Sequence, residues 1–304
     1  MNKKRVVLAG GSGFLGQALA VELLKRDYQV VVLTRTPRER NDGVTEAEWN
    51  GEHLGEWIRF LDSAEAVVNL AGRSLNCRHT PENLRKINES RVKSVEAIAG
   101  GIYHVTHPPR VWVQASSLAF YGDTGDRWCD ENTPPGEDEA AETCKLWENA
   151  FNHVAAPATR RVLLRIGIVL GRDGGALSVL GKLTKWFLGG AVCSGRQYIS
   201  WIHLTDMDRM VIEAIEREDL GGTFNATAPN PVNNTEFMSE LRRALHRPWS
   251  PPASEWAVRF GSRLMKTEPS LALTGRRCAP KRFLESGFKF QFTELRAALK
   301  DIYA

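Results

Sequence analysis

The sequence predicts an α/β fold built on a doubly wound parallel sheet, with a smaller C-terminal α+β substrate lobe. Three observations carry the prediction. Short, near-continuous apolar runs alternate with segments of helical period over the first 170 residues or so. A glycine-rich loop joins the first run to the first helix. After Gly171 the alternation stops, and glycines, then prolines, punctuate shorter elements. Strands without polar alternation belong to a parallel sheet covered by helices on both faces.

Taken in order, residues 5–9 form the first strand. Residues 14–26 follow as a helix with Leu15, Ala18, Leu19 and Leu23 on one face, and 29–33 form a β-branched second strand. Strand, tight turn, helix and parallel strand make a βαβ unit. The same grammar predicts strands at 66–70, 111–115 and 162–170, with helices at 81–98 and 139–154. Further on, 177–188 is an apolar stretch, while 201–203 and 223–225 read as short strands. Residues 235–247 read as a helix capped by Asn234 or Thr235, buried through Phe237, Leu241 and Leu245, and stopped by Pro248. The resulting division assigns 1–171 and about 199–228 to a dinucleotide-binding domain, with 201–225 returning to its sheet. Residues 172–198 and 229–304 form a lobe over it.

Bulk properties narrow the function. A length of 304 residues exceeds the roughly 250 that one compact core usually supports, as one enlarged domain with a lobe requires. An apolar fraction of 42% and a charged fraction of 25% exclude disorder for the bulk of the chain. The net charge of +4 is too slight for a nucleic-acid binder, and Arg276-Arg277 with Lys281-Arg282 read as a solvated face. Five cysteines without a C-x-x-C pair signal neither a disulfide framework nor a zinc site, so reduced thiols are expected. The opening residues resemble the start of a signal peptide, but the apolar run breaks at Gly10-Gly11. No stretch approaches the roughly 20 apolar residues that span a bilayer. The expectation is a soluble, cytoplasmic monomer or homodimer acting on a small molecule, with no nucleic acid, membrane or metal.

The strongest motif is Gly10-Gly11-Ser12-Gly13-Phe14-Leu15-Gly16, a G-x-x-G-x-x-G between a strand and a helix. Glycines let the backbone approach a pyrophosphate, and the helix N-terminus offers unpaired N–H groups to its charge. A P-loop is excluded because no Lys-Ser or Lys-Thr follows the last glycine. The second strand ends Leu33-Thr34-Arg35, with Arg38 close behind and no acid before Glu39. A carboxylate there would bind the ribose hydroxyls of NAD, whereas a hydroxyl and a guanidinium pair with a 2′-phosphate, so NADP is preferred.

Further marks are Asn69-Leu70-Ala71-Gly72, Ser90-Arg91, Trp147-Glu148 and Arg165 with 167–171. Trp201-Ile202-His203, 225–229, Pro280 and Ser286-Gly287-Phe288 follow. In this order and spacing the chain resembles an extended short-chain dehydrogenase/reductase. More narrowly, it resembles the atypical NADP-binding "epimerase family" branch, which ends in a small domain of unknown function. The resemblance covers essentially the whole chain. It implies a Rossmann domain in which Leu70, Ala71 and Gly72 line the cofactor, Arg91 reaches it, and Val169 meets the nicotinamide end. The family often has a tryptophan near His79 and an acid near Lys86, so this part of the pocket differs.

The Tyr-x-x-x-Lys pair of typical members, in which an ammonium lowers a phenol pKa for proton transfer, is absent. Four residues beyond Tyr28, Tyr103, Tyr121 and Tyr198 stand Val32, His107, Gly125 and Ile202, and Tyr303 lies too near the end. In one register Cys144 and Glu148 take the two places; in another, Ala140 and Cys144 do. At the fifth-strand end, Ser116-Ser117 with Tyr121-Gly122 resembles the extended-family segment. Ser117 stands at the substrate-orienting position and Tyr121 is the remaining candidate proton donor, its phenol expected near pKa 10. Two readings stand: an NADP-dependent oxidoreductase or epimerase on a small polar, sugar-like substrate, and an NADP-binding sensor with little turnover.

Overall fold

The computed structural model describes residues 3–304. The chain begins with β1 (Arg5–Ala9), α1 (Phe14–Lys25), β2 (Gln29–Thr34), β3 (Val44–Glu48) and β4 (Ala66–Asn69). Next come α2 (Pro81–His104), β5 (Val111–Ser117), β6 (Trp128–Cys129), α3 (Glu139–Asn152) and β7 (Arg160–Ile166). Then follow β8 (Ile168–Leu170), α4 (Gly175–Lys185), β9 (Tyr198–Ile199), β10 (Trp201–His203), α5 (Leu204–Glu216) and β11 (Gly222–Ala226). The C-terminal part contains β12 (Val232–Asn233), α6 (Asn234–Ala244), α7 (Glu255–Leu264) and α8 (Ser270–Leu273). It closes with β13 (Arg277–Cys278), α9 (Lys281–Glu285) and α10 (Leu295–Tyr303).

Seven strands form one sheet in the order β3-β2-β1-β4-β5-β7-β11, every pair parallel. Alternate residues of a strand serve opposite faces. Val6 and Leu8 join Leu19 and Leu23 of α1 and Met210 and Val211 of α5. Val7 and Ala9 join Val95 and Ile98 of α2 and Trp147 and Phe151 of α3. The doubly wound parallel sheet predicted from the apolar runs is therefore present. A separate core links Leu170, Leu177, Trp201, Phe237, Leu241 and Leu299, which is the C-terminal lobe.

Three expectations need correction. The predicted strand 162–170 is two strands. A β-carbon on Gly167 would lie 2.6 Å from the Ser200 carbonyl oxygen, so the chain turns there, and β8 leaves the large sheet to pair with β10. Of the segment expected to return to the sheet, β11 does and β10 does not. Finally, Phe283 and Phe288, assigned by sequence to the lobe, pack in the core beneath the large sheet beside Phe224 of β11.

Candidate functional site

The strand order reverses between β1 and β4, and in such sheets the crevice beyond the strand ends is where ligands bind. A groove of about 1070 Å³ opens there. Gly10, Ser12 and Gly13 line it from the first loop, Thr34 and Arg35 from the end of β2, and Leu70, Ala71 and Gly72 from the end of β4.

Packing explains some of the glycines and leaves one for a ligand. Gly10 has φ +77°, and a β-carbon on it would strike the Ala71 nitrogen at 2.8 Å, so the two loops abut. A β-carbon on Gly16 would lie 2.4 Å from the Gly11 Cα, so α1 packs directly on the turn. At Gly13 the nearest atom to such a carbon is the Gly10 oxygen at 3.4 Å. Nothing in the chain demands glycine there, and what the bare backbone leaves is room at the groove. Gly13 is also the N-cap of α1, with no side-chain cap and no acid in the first turn. The first N–H groups of α1 are thus free to receive an anion, and a pyrophosphate fits the cradle. Phe14 and Leu15 are half-buried in the core, and the Phe14 ring lies where β-carbons on Gly171 and Gly174 would have to go.

The far end of the groove is basic. Arg40 is neutralised by Asp42 and Glu46, and the same Glu46 accepts from the Arg38 backbone N–H. Among the described residues no carboxylate pairs with the guanidinium of Arg35 or Arg38, and both line the groove. The edge strand β3, which supplies Glu46, escaped the sequence reading; its signal is the β-branched Val44-Thr45 after the Asp42-Gly43 turn. The loop after β4 is held from below. Buried Asn69 accepts from the Ala71 N–H at 3.0 Å and donates to Ser94 and Gln114.

Arg91 does not line this groove. Its guanidinium is buried, donates to the Arg73 and Ile87 carbonyl oxygens, and lies 5.0 Å from the Trp147 ring centre, directly under Gly72. It braces the loop that forms the groove wall. Val169 is likewise buried, in the core beside β10. His79 anchors a loop, with its ring 3.0 Å from Glu139 and its N–H donating to Glu268.

Where the phenol–ammonium pair is missing, the chain builds a buried network instead. Glu148 accepts from Ser116 Oγ at 2.6 Å and from Arg165 Nε and Nη2 at 3.0 and 2.8 Å. Arg165 also donates to the Tyr121 oxygen at 2.9 Å and stacks 3.4 Å from the Phe120 ring centre. Tyr121 in turn donates to Asn225 Oδ1 at 2.8 Å. Its proton is committed and its ring has no exposed surface. Burial pushes the phenol well above its ordinary value, against the opposing pull of Arg165. The expectation of a Tyr121 phenol near its ordinary value is therefore corrected: burial raises it, Arg165 lies beside it, and its proton is held by Asn225. Cys144 is buried beside this network, its thiol pushed up to about 12 by burial and then by Glu148. Ser117 sits half-buried at the end of β5, where its hydroxyl accepts from the Ala119 N–H at 3.1 Å, a local cap that leaves its own proton free to donate. Among the described residues no three His, Cys, Asp or Glu side chains gather into a metal-binding group. None of the described helices is long and apolar enough to cross a membrane.

A second cavity, of about 690 Å³, lies between the loop after β5 and the C-terminal lobe. Asp123, Arg196, Gln197, Glu268 and Thr274 are among the residues that line it. No carboxylate pairs with Arg196 among the described residues.

Comparison with known proteins agrees with this architecture. Residues 6–227 match the family model described as NAD dependent epimerase/dehydratase family, and 253–302 match a domain of unknown function, DUF1731. The chain is 32% identical over 301 residues to the epimerase family protein YfhF of Bacillus subtilis, covering 98% of each. It is 34% identical over 307 residues to the mouse epimerase family protein SDR39U1, covering 99% of this chain and 100% of that one. The crystal structure of human SDR39U1 (isoform 2) with NADPH superposes with a TM-score of 0.88 at 30% identity, covering 98% and 99% of the two chains. With its parallel sheet, its glycine loop at the strand-order reversal and its terminal lobe, the chain belongs to the NAD dependent epimerase/dehydratase family.

Proposed function

We propose that this protein binds NADP(H) in the groove between β1 and β4 and uses it as an oxidoreductase or epimerase on a small polar, sugar-like substrate. The observation that carries the cofactor assignment is the groove itself. Its inner end is an uncapped helix N-terminus with free space at Gly13, and its outer end holds two unneutralised guanidinium groups, Arg35 and Arg38. The inner end suits a pyrophosphate and the outer end a 2′-phosphate. That a 30% identical structure contains NADPH supports the same reading.

The bound nicotinamide would supply hydride transfer. The chain's own part is to hold the dinucleotide on the Gly10–Gly16 loop and to keep Leu70, Ala71 and Gly72 in place through Asn69 and Arg91. Ser117 orients the substrate with its free hydroxyl proton. The cavity beside Asp123 and Arg196, which Ser117 does not line, has a mixture of carboxylates, amide and guanidinium that suits a polyhydroxylated molecule. A dinucleotide-binding sheet beneath a C-terminal lid, with the boundaries corrected at β10 and at Phe283 and Phe288, is part of this proposal.

A second reading, an NADP(H) sensor with little turnover, is favoured by one specific observation. Tyr121, the candidate proton donor, and Glu148, which takes one place of the missing pair, are both consumed by structural bonds. Incubation with NADPH and a panel of carbonyl compounds and nucleotide sugars separates the two. NADPH oxidation or substrate conversion lost in Ser117→Ala supports the enzyme. Tight NADPH binding with no conversion across the panel supports the sensor.

A further inference from the structure

The C-terminal lobe carries a surface whose exposed apolar side chains line neither the groove nor the second cavity. Trp186, Phe187 and Leu188, just past α4, are 80%, 55% and 65% exposed. Phe187 lies under the Arg247 guanidinium at 5.3 Å, which brings this corner to the segment containing Trp249. Residues 190–193 then run against 251–253, through Cys193 N–H to Ala253 oxygen and Ala253 N–H to Ala191 oxygen, and lead directly into α7. Trp256, Phe260 and Leu264 recur every fourth residue of α7 and are all exposed, the first two stacked at 5.6 Å. Ser262 is the single buried residue of that helix.

The charge around this surface is one-sided. Residues 182–188 and 247–266 contain Lys182, Lys185, Arg247, Arg259, Arg263 and Lys266 against one acid, Glu255. All six cations are exposed. The local balance of +5 exceeds the +4 of the entire chain, so the rest of the molecule is close to neutral.

We propose that this face is a docking surface for an anionic lipid bilayer, on which α7 and the Trp186–Leu188 corner lie in the interface plane. Exposed aromatic and leucine side chains flanked by lysine and arginine are the composition of an interfacial element, whose apolar face enters the headgroup boundary while the cations meet anionic headgroups. Charge also argues against a second copy as the occupant. A two-fold contact would set the positive rim against itself. That none of the described helices can cross a membrane is compatible with one of them lying on its surface.

The test is co-sedimentation of the full chain with phosphatidylcholine vesicles, with and without phosphatidylglycerol, at low and high salt. The protein should pellet with the anionic vesicles at low salt, and stay in solution with neutral vesicles or at high salt. Trp186→Ala with Phe187→Ala, and separately Trp256→Ala with Phe260→Ala, should each reduce partition. Lys182→Glu and Lys266→Glu should each reduce it by roughly fivefold or more. NADPH affinity measured on the same variants checks that they are folded, since none of these residues lines the dinucleotide groove. No pelleting with anionic vesicles at low salt overturns the proposal. So does pelleting that the aromatic variants leave unchanged, or a dimer by sedimentation velocity that the same variants convert to monomer.

Discussion

Glu148→Gln is the substitution that most directly asks whether the place of the missing catalytic pair is chemical or structural. The carboxylate is buried and accepts three hydrogen bonds, one from Ser116 and two from Arg165, at 2.6 to 3.0 Å. Glutamine keeps the volume but carries no charge and presents one acceptor oxygen, so a buried guanidinium loses its counter-ion. Removing one partner of a buried pair costs about 3–5 kcal/mol. Arg165 keeps its bond to Tyr121 and its stacking on Phe120, which places the expected loss at about 3 kcal/mol. At about 2 °C per kcal/mol for a chain of this size, Tm should fall by roughly 6 °C. Differential scanning calorimetry measures it, and the double variant Glu148→Gln with Arg165→Gln should cost less than the two single losses together. NADPH affinity should stay within about twofold, because the groove does not include Glu148. A Tm within about 1 °C of the parent, accompanied by loss of turnover, would refute the structural assignment and return Glu148 to the acid/base role.

Other residues give independent checks. Gly13→Ala should leave Tm nearly unchanged while weakening NADPH binding, whereas Gly16→Ala, whose β-carbon has no room beside Gly11, should lower Tm strongly; the reverse pattern would remove the pyrophosphate assignment. Asp208 is buried on α5 and its pKa is raised to about 8 by burial, with Glu22 adding to the shift. A raised carboxyl stabilises the fold fully only below its unfolded value near 4, and that contribution is lost as pH climbs through about 8. Asp208→Asn should therefore raise Tm more at pH 8 than at pH 5, and an equal shift at both would contradict the burial argument. Ser117→Ala should lower turnover without altering NADPH affinity, at a cost of at most about 1 kcal/mol for the lost cap on Ala119.

How much of this was legible in the sequence depended on whether a residue's role was local. The first strand is read from its residues as 5–9, which is β1, because four apolar residues, Val6 to Ala9, between a charged start and two glycines admit little else. The glycine loop announced its use in the same way. The break at Gly167 was not legible, since the Ser200 oxygen that crowds it comes from a segment more than thirty residues away. Tyr121 misled for the same reason. Its place in the Ser116-Ser117 to Tyr121-Gly122 segment makes it a candidate proton donor, while its partners Arg165 and Asn225 are 44 and 104 residues distant and close over it. Arg91 was read as a ligand for the cofactor, yet Trp147 and two carbonyl oxygens hold it beneath the groove wall. Arg35 was assigned from the absence of an acid at the β2 end. Glu46, which a sequence window ending at Glu39 does not include, lies near the site but is occupied by Arg40 and the Arg38 backbone.

The proposal that the groove holds NADP(H) through its 2′-phosphate is tested most directly by fluorescence titration of the parent chain and Arg35→Ala with NADPH and with NADH. A charge-assisted bond to a phosphate contributes about 1.5–3 kcal/mol, and exposure of Arg35 favours the lower value. The parent should bind NADPH at least tenfold more tightly than NADH, and Arg35→Ala should weaken NADPH by about tenfold while leaving NADH unchanged. Equal affinities for the two dinucleotides in the parent, or a loss in Arg35→Ala that falls equally on both, would contradict it.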